Sequence, residues 1–120
     1  MTRALKTNEK AILERLLQDS FRGRDEIRAQ IAQSRVREIE EYKDNYGSLE
    51  FEVMGGPKAA VAERVPVDGM ALDADGVPIE FLLHIVDGVL KELEIVKADG
   101  SPIVRRPDAA DLTVSVRGVA

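Results

Sequence analysis

Cysteine and tryptophan are absent, histidine occurs once, and three Phe with two Tyr supply all the aromatic side chains of this 120-residue chain. Without cysteine there is neither a disulfide framework nor a thiol nucleophile, and a cytoplasmic location is the expectation. A single histidine, His84, excludes metal centres built on paired imidazoles. It would also have to carry any Ser-His-Asp triad alone, with no serine near it in sequence. No apolar run approaches the ~20 residues of a membrane helix, and Met1-Thr2-Arg3-Ala4-Leu5-Lys6 lacks the apolar stretch of a secretory signal, so a soluble intracellular protein is expected, with no membrane partner. Gly55-Gly56-Pro57-Lys58 lacks the second glycine and the Lys-Ser/Thr pair of a phosphate loop and reads as a linker. Nothing resembles a cofactor fingerprint, and none is expected.

Basic charge is also scarce beyond the N-terminal third. Residues 1–35 carry eight Lys/Arg against five Asp/Glu, which leaves nine against seventeen for residues 36–120, so +3 is followed by −8 in a total of −5. An acidic sheet region disfavours phosphate-backbone binding, which depends on Lys and Arg releasing counterions. The small basic cluster Arg22, Arg24 and Arg28 comes with no recognised nucleic-acid motif and reads as a solvated helix face. A basic partner protein is the better electrostatic match.

What the chain does have is a repeated turn. Asp75-Gly76, Asp87-Gly88 and Asp99-Gly100 stand twelve residues apart, twice in succession, with Val, Ile, Leu and Phe between them. Asp-Gly supplies the positive φ of tight hairpin loops, so the spacing predicts an antiparallel meander. Upstream, Ile12, Leu13, Leu16 and Leu17 form one helical stripe that Thr7 or Asn8 can cap. Gly23 breaks it, and Asp25-Glu26 open a second helix edged by Ile27 and Ile31. From Val36 the period changes: an irregular edge strand to Tyr42, turn chemistry over 43–48, and a half-buried strand through Leu49, Phe51 and Val53. Pro102 cannot donate to a ladder and should lie on an edge or leave the sheet. Leu112, Val114 and Val116 alternate as a last short strand. The expectation is one α+β domain over 1–120: two N-terminal helices (7–33) packed on one face of an antiparallel meander of five to six strands (36–116).

Hydrophobic phase predicts register. A two-residue loop at Asp87-Gly88 would set Phe81 against Glu94. A three-residue loop, Val86-Asp87-Gly88, instead sets Ile85 against Val89, Phe81 against Leu93 and Ile79 against Ile95, and is expected for that reason. Ala74-Asp75-Gly76 as a three-residue loop aligns Val67 with Leu83, Gly69 with Phe81 and Ala71 with Ile79.

The order of elements resembles a bacterial family of unknown function with a helical Leu-Leu start, a Gly-Ser-Leu strand opening, an Asp-x-Asp-Gly turn and a closing Lys-x-Asp-x-Ser-Pro stretch. The matching residues are Leu16-Leu17, Val36, Gly47-Ser48-Leu49-Glu50-Phe51, Asp73-Ala74-Asp75-Gly76-Val77, Leu93-Glu94-Ile95 and Lys97-Ala98-Asp99-Gly100-Ser101-Pro102. Val96 and Gly100 stand where aromatic residues are expected in the closing stretch. The resemblance implies the fold and assigns no reaction.

Two constellations suggest a binding role. With the expected register, Glu80 lies directly across from Glu94, with Glu92 and Asp68 flanking Leu82 and with His84 on the same face. Opposed carboxylates destabilise a sheet unless solvent, Arg64 or Arg106, a cation or a basic partner offsets them. Met70, Leu82, Val86, Leu90 and Val96 are expected on that face too, more apolar surface than monomers usually leave bare. A second copy, a partner protein, or the 36–53 or C-terminal strand folding back would cover it. Asp73-Ala74-Asp75-Gly76 opens like a calcium loop but lacks the third ligand before its glycine and the closing Glu, so it reads as turn chemistry. No nucleophile or metal set accompanies these carboxylates. The favoured reading is a non-enzymatic interaction module, of inhibitor or immunity type, with a basic protein partner or a homodimer. The alternative is a small enzyme or a ligand- or cation-binding protein working through Asp68, Glu80, Glu92 and Glu94.

Overall fold

The structure, a computed structural model, describes residues 1–117. Helix α1 (Thr7–Leu16) and helix α2 (Arg24–Ala32) precede a six-stranded antiparallel sheet. Its strands are β1 (Ser34–Glu38), β2 (Leu49–Val53), β3 (Val67–Leu72), β4 (Pro78–Val86), β5 (Val89–Lys97) and β6 (Thr113–Val116), with short 3-10 turns at Glu40–Tyr42 and Ala109–Asp111. The spatial order is β1-β2-β5-β4-β3-β6. The expected meander β3-β4-β5 is the centre, and β2 and β6 extend it on either side. The 36–53 segment and the last strand therefore widen the sheet instead of folding over its second face.

Each helix is apolar on one stripe and needs a sheet to bury it. Leu13, Leu16 and Leu17, with Ile27 of α2, join Val36, Leu49, Phe51, Val67, Ile79, Phe81, Leu83, Leu93 and Ile95 in one core, each such side chain contributing about 1.5–3 kcal/mol when fully buried. Neither Thr7 nor Asn8 caps α1. The helix starts one residue earlier, and Glu9 accepts the Lys6 backbone N–H at 2.8 Å in place of a capping hydroxyl. Gly23 enters α2 with φ +96°, and a Cβ there would lie 2.6 Å from Val61. Gly69 faces Phe81 as expected, and its missing Cβ makes room for Leu16, whose Cδ2 would stand 3.0 Å from one.

The first Asp-Gly loop has the expected form. Asp73 N–H bonds Val77 O at 2.9 Å around Ala74-Asp75-Gly76, and Val67, Gly69 and Ala71 pair with Leu83, Phe81 and Ile79. The second differs from expectation. Val86 pairs with Val89, so only Asp87 and Gly88 form the loop, both at positive φ (51° and 78°), the pair of angles of a type I′ turn. The hydrophobic phase is then restored by a bulge: Ile85 pairs with Leu90 but His84 with Glu92, leaving Lys91 as the extra residue. Phe81 consequently faces Ile95, not Leu93, and Ile79 faces Lys97, not Ile95.

The bulge has a specific anchor. Gln30 on α2 is fully buried, accepts the Leu90 N–H on Oε1 at 2.7 Å, and donates from Nε2 to Gly88 O (2.9 Å) and Pro57 O (2.8 Å). One side-chain amide thus satisfies the backbone groups that the irregular turn removes from the ladder. At the opposite end of the sheet, β1 lies on an edge as expected, but it ends at Glu38, and 40–42 is a 3-10 turn. Pro102 leaves the sheet, and Ile103 and Val104 form no strand.

Candidate functional site

Side chains that alternate away from the helices form the bare face of the sheet. Cross-strand register arranges them in three rows: Arg37, Glu50, Glu92 and His84; then Glu94, Leu82, Asp68 and Ser115; then Val96, Glu80, Met70 and Thr113. Asp68, Glu80, Glu92, Glu94 and His84 therefore do share one face. Their pairings differ from those expected. Glu80 stands between Met70 and Val96, and Glu94 lies across from Leu82, because the two-residue loop and the bulge at Lys91 each move β5 by one residue, two in all, relative to the assumed register. The opposed carboxylates are instead Glu50 and Glu92.

That like-charge pair is compensated on both sides. Arg37 Nε donates to Glu50 Oε1 at 2.8 Å and Lys91 Nζ lies 3.5 Å from Oε2, so the Glu50 carboxyl is held below its ordinary range, mainly by the Arg37 hydrogen bond. On the other side the Tyr42 hydroxyl donates to Glu92 at 2.8 Å, and this bond, reinforced by burial, pushes the phenol up to about 12. Tyr42 belongs to the 3-10 turn after β1, which positions it over the sheet.

His84 is tied at both nitrogens. Arg64 Nε donates to Nδ1 at 3.0 Å, so the ring proton resides on Nε2, which donates to Glu94 Oε1 at 2.8 Å. Its partner across β5 is Glu92, where the three-residue-loop register would put Leu90. His84, Glu92 and Glu94 offer three ligand atoms within 4.8 Å of one another, but the arrangement is poor for a cation. A metal on Nε2 would displace that proton while Nδ1 still accepts from Arg64, whereas a ligating imidazole ordinarily donates from its second nitrogen. The guanidinium charge one ring away opposes it further.

The interface candidates divide. Met70 is exposed at 38%, and Leu82, Val86 and Val96 are half-buried on the bare face, where Leu72, outside the expected set, is also exposed. Leu90 is not on that face. The bulge turns it into the core, where it is 1% exposed. At the edge of the face Arg117 pairs with Asp68.

Sequence reasoning missed a second charged cluster. Lys97 is in phase with Leu93 and Ile95, and its side chain is fully buried with Nζ bonded to Asp73 (2.9 Å), Asp75 (2.6 Å) and Pro102 O (3.0 Å). Asp73 also accepts backbone N–H groups from Ala74 (2.7 Å), Val104 (2.8 Å) and Arg105 (2.9 Å). Burial pushes the Asp73 carboxyl up, but the Lys97 ammonium and these three amides outweigh it and hold the group well below the usual carboxylate range. Burial likewise lowers Lys97, and its two aspartates more than reverse that, leaving it raised. The ammonium takes the place between Asp73 and Asp75 that a calcium loop gives its ion. A lysine in core phase was the available signal, since it demands a carboxylate within reach.

Fold and surface together define a two-layer α+β domain in which the described residues leave one sheet face bare. The chain belongs to the family described as Domain of unknown function (DUF6984), whose model matches residues 2–107. No curated protein and no solved structure matches it. Two stretches noted for the resemblance, Asp73-Ala74-Asp75-Gly76 and Lys97 to Pro102, are the two halves of the buried ion cluster. No helix among the described residues is long and apolar enough to cross a membrane.

Proposed function

We propose that the protein is a non-enzymatic binding module, of inhibitor or immunity type, that docks a basic surface of a partner protein on the bare sheet face. The observation that carries this is the third row of the face: Glu80 is exposed between exposed Met70 and half-buried Val96, on strands whose outward positions hold Asp68, Glu92 and Glu94 as well. Carboxylates interleaved with apolar side chains suit a partner that brings Lys or Arg together with apolar contacts. An acid–base role has less support, because His84, Glu92 and Glu94 are each already hydrogen-bonded by a neighbour.

The test uses side chains that make no hydrogen bond or ion pair among the described residues. Immobilised wild type should capture from native cell extract a protein with a basic surface, released as ionic strength rises. Glu80→Lys combined with Met70→Asp should lose it, while Asp19→Lys on the helical side should retain it. Equal capture by all three proteins would overturn the proposal. So would a two-chain mass by light scattering that the double variant converts to one chain, since a second copy would then be the occupant.

A further inference from the structure

On the opposite, helix-covered side of the sheet, α1 and the segment after β5 do not close completely. A cavity of about 390 Å3 remains between Ala11 and Ile12 of α1, Phe81 and Ile95 on the sheet, and Ile103 and Arg106 of the returning segment. A smaller space of about 150 Å3 lies beside it and shares Asn8, Ile12, Ile95 and Arg106 as walls. The larger one falls at the low end of the roughly 300–1,000 Å3 typical of small-molecule sites, and it combines an apolar floor with a few polar groups at its rim, as such sites do.

Arg106 is the distinguishing rim group. Its Nη1 donates to Tyr46 O at 2.7 Å and its Nη2 to Asn45 O at 3.0 Å, so the guanidinium is fixed before any ligand arrives. Gly47 allows this close seat: it sits at φ +88°, and a Cβ there would stand 3.0 Å from Nη1. Two of the five N–H donors of an arginine are thereby used, and among the described residues no carboxylate pairs with the charge. Of the acids nearby, Glu9 is bonded to Arg3 and to the Lys6 N–H and Glu38 to Arg3, while Asp108, also at the cavity's rim, joins the 3-10 turn at Ala109–Asp111 through its backbone and forms no salt bridge with Arg106.

We propose that this cavity binds a small amphipathic carboxylate, its apolar chain or ring against Ile12, Phe81, Ile95 and Ile103 and its carboxylate on the Arg106 guanidinium. The cation sets the sign of the ligand's charge, and its planar fork favours a carboxylate over a point anion. The site is on the other side of the sheet from the docking face, and the two stand or fall separately.

Octanoate, octanol and octylamine serve as probes on the wild-type chain, followed by titration of backbone amide resonances. Octanoate should saturate with a Kd below about 1 mM, shifting the amides of Ala11, Ile12, Ile95 and Ile103. Octanol should bind the same place at least about tenfold more weakly, and octylamine more weakly still. Arg106→Gln should bring octanoate to the level of octanol and leave octanol unchanged. Octanoate that leaves those four amides unmoved, or that binds no better than octanol to the wild type, would overturn the assignment. The wild-type comparison decides the matter even if the variant is destabilised.

Discussion

The same dipeptide closes both ends of β4, and the two turns are built on different physics. At Asp75-Gly76 the loop is fastened by charge: the aspartate carboxylate and its neighbour Asp73 clamp the buried Lys97 ammonium arriving from β5. At Asp87-Gly88 the aspartate is exposed, and the fastening is neutral: the Gln30 amide on α2 takes up the Leu90 N–H and, together with the Ala59 N–H, the Gly88 carbonyl. Asp-Gly thus fixes that the chain reverses. Which residues pair beyond the turn is decided by what lies under it: an ion cluster at one end, a glutamine at the other. A local signal sets the turn, and tertiary contacts set the register.

The largest effect should come from breaking the charged end. Lys97→Met leaves Asp73 and Asp75 without their ammonium, and Asp73 has no exposed side-chain surface. Removing one partner from a buried ion pair is strongly destabilising because it strands the other charge. Urea unfolding should show a lower midpoint for Lys97→Met than for Leu16→Ala in the same core, a substitution that costs about 2–5 kcal/mol by itself. Acid should find the same end first. Asp73 is lowered in the folded state, so its contribution is present above the ordinary aspartate range, near pH 4, and drains away as pH falls. Lys97 is raised, so its share is present below its ordinary range and is lost only on the far alkaline side. Unfolding midpoints measured from pH 6 down to about pH 2 should therefore slope steeply in the wild type and less so in Asp73→Asn.

Next in size is the neutral end. Gln30→Leu keeps the volume and removes both hydrogen-bonding functions, leaving the Leu90 N–H and the Pro57 carbonyl without the partner Gln30 supplied, while the Gly88 carbonyl keeps the Ala59 N–H at 2.8 Å. Each buried group left unsatisfied costs about 1–3 kcal/mol. The midpoint should fall at every pH equally, and that flat profile separates this loss from the acid-dependent one at the other turn. Hydrogen exchange at Leu90 should accelerate more than at Phe81. Glycine substitutions sharpen the contrast at smaller scale. Gly76→Ala meets open space and bears only the left-handed backbone penalty, about 1–2 kcal/mol. Gly88→Ala adds contacts of 3.0 Å to Lys58 and 3.1 Å to Ala59, so it should cost more.

The contrast also marks where sequence reading stops. The two helices and an antiparallel sheet of five to six strands were legible because period and turn residues are local properties, whereas the places of the 36–53 and C-terminal strands in the sheet were not. So was the register across Ala74-Asp75-Gly76, where alternation runs unbroken on both sides. Across Asp87-Gly88 the assumption of unbroken alternation failed, although Leu90 and Leu93 stand three apart and cannot share a face of a regular strand. That odd spacing is the trace of the bulge. Sharing of one face by Asp68, Glu80, Glu92, Glu94 and His84 survived the shift because two residues of slip preserve parity. The individual pairs did not survive it. The sequence marks Arg64 only as one possible counter-charge and Tyr42 only as the end of an irregular edge strand. Their bonds to His84 and Glu92 are made from non-strand segments, so no register argument fixes those contacts.

The smallest effect tests the comparison most directly, because it makes one chemical change at both turns. Asp87→Asn removes a carboxylate with no hydrogen-bond partner among the described residues, at a position with φ 51° that asparagine tolerates well. Its cost should stay within about 0.5 kcal/mol, as for other surface substitutions away from special features. Asp75→Asn takes a full negative charge from the 2.6 Å contact with Lys97 while keeping an oxygen able to accept. It should lower the urea midpoint clearly, though less than Lys97→Met, since Asp73 remains. Equal midpoints for Asp75→Asn and Asp87→Asn would mean that the ammonium is satisfied by Asp73 and the Pro102 carbonyl alone, and that the two turns differ in geometry but not in what fastens them.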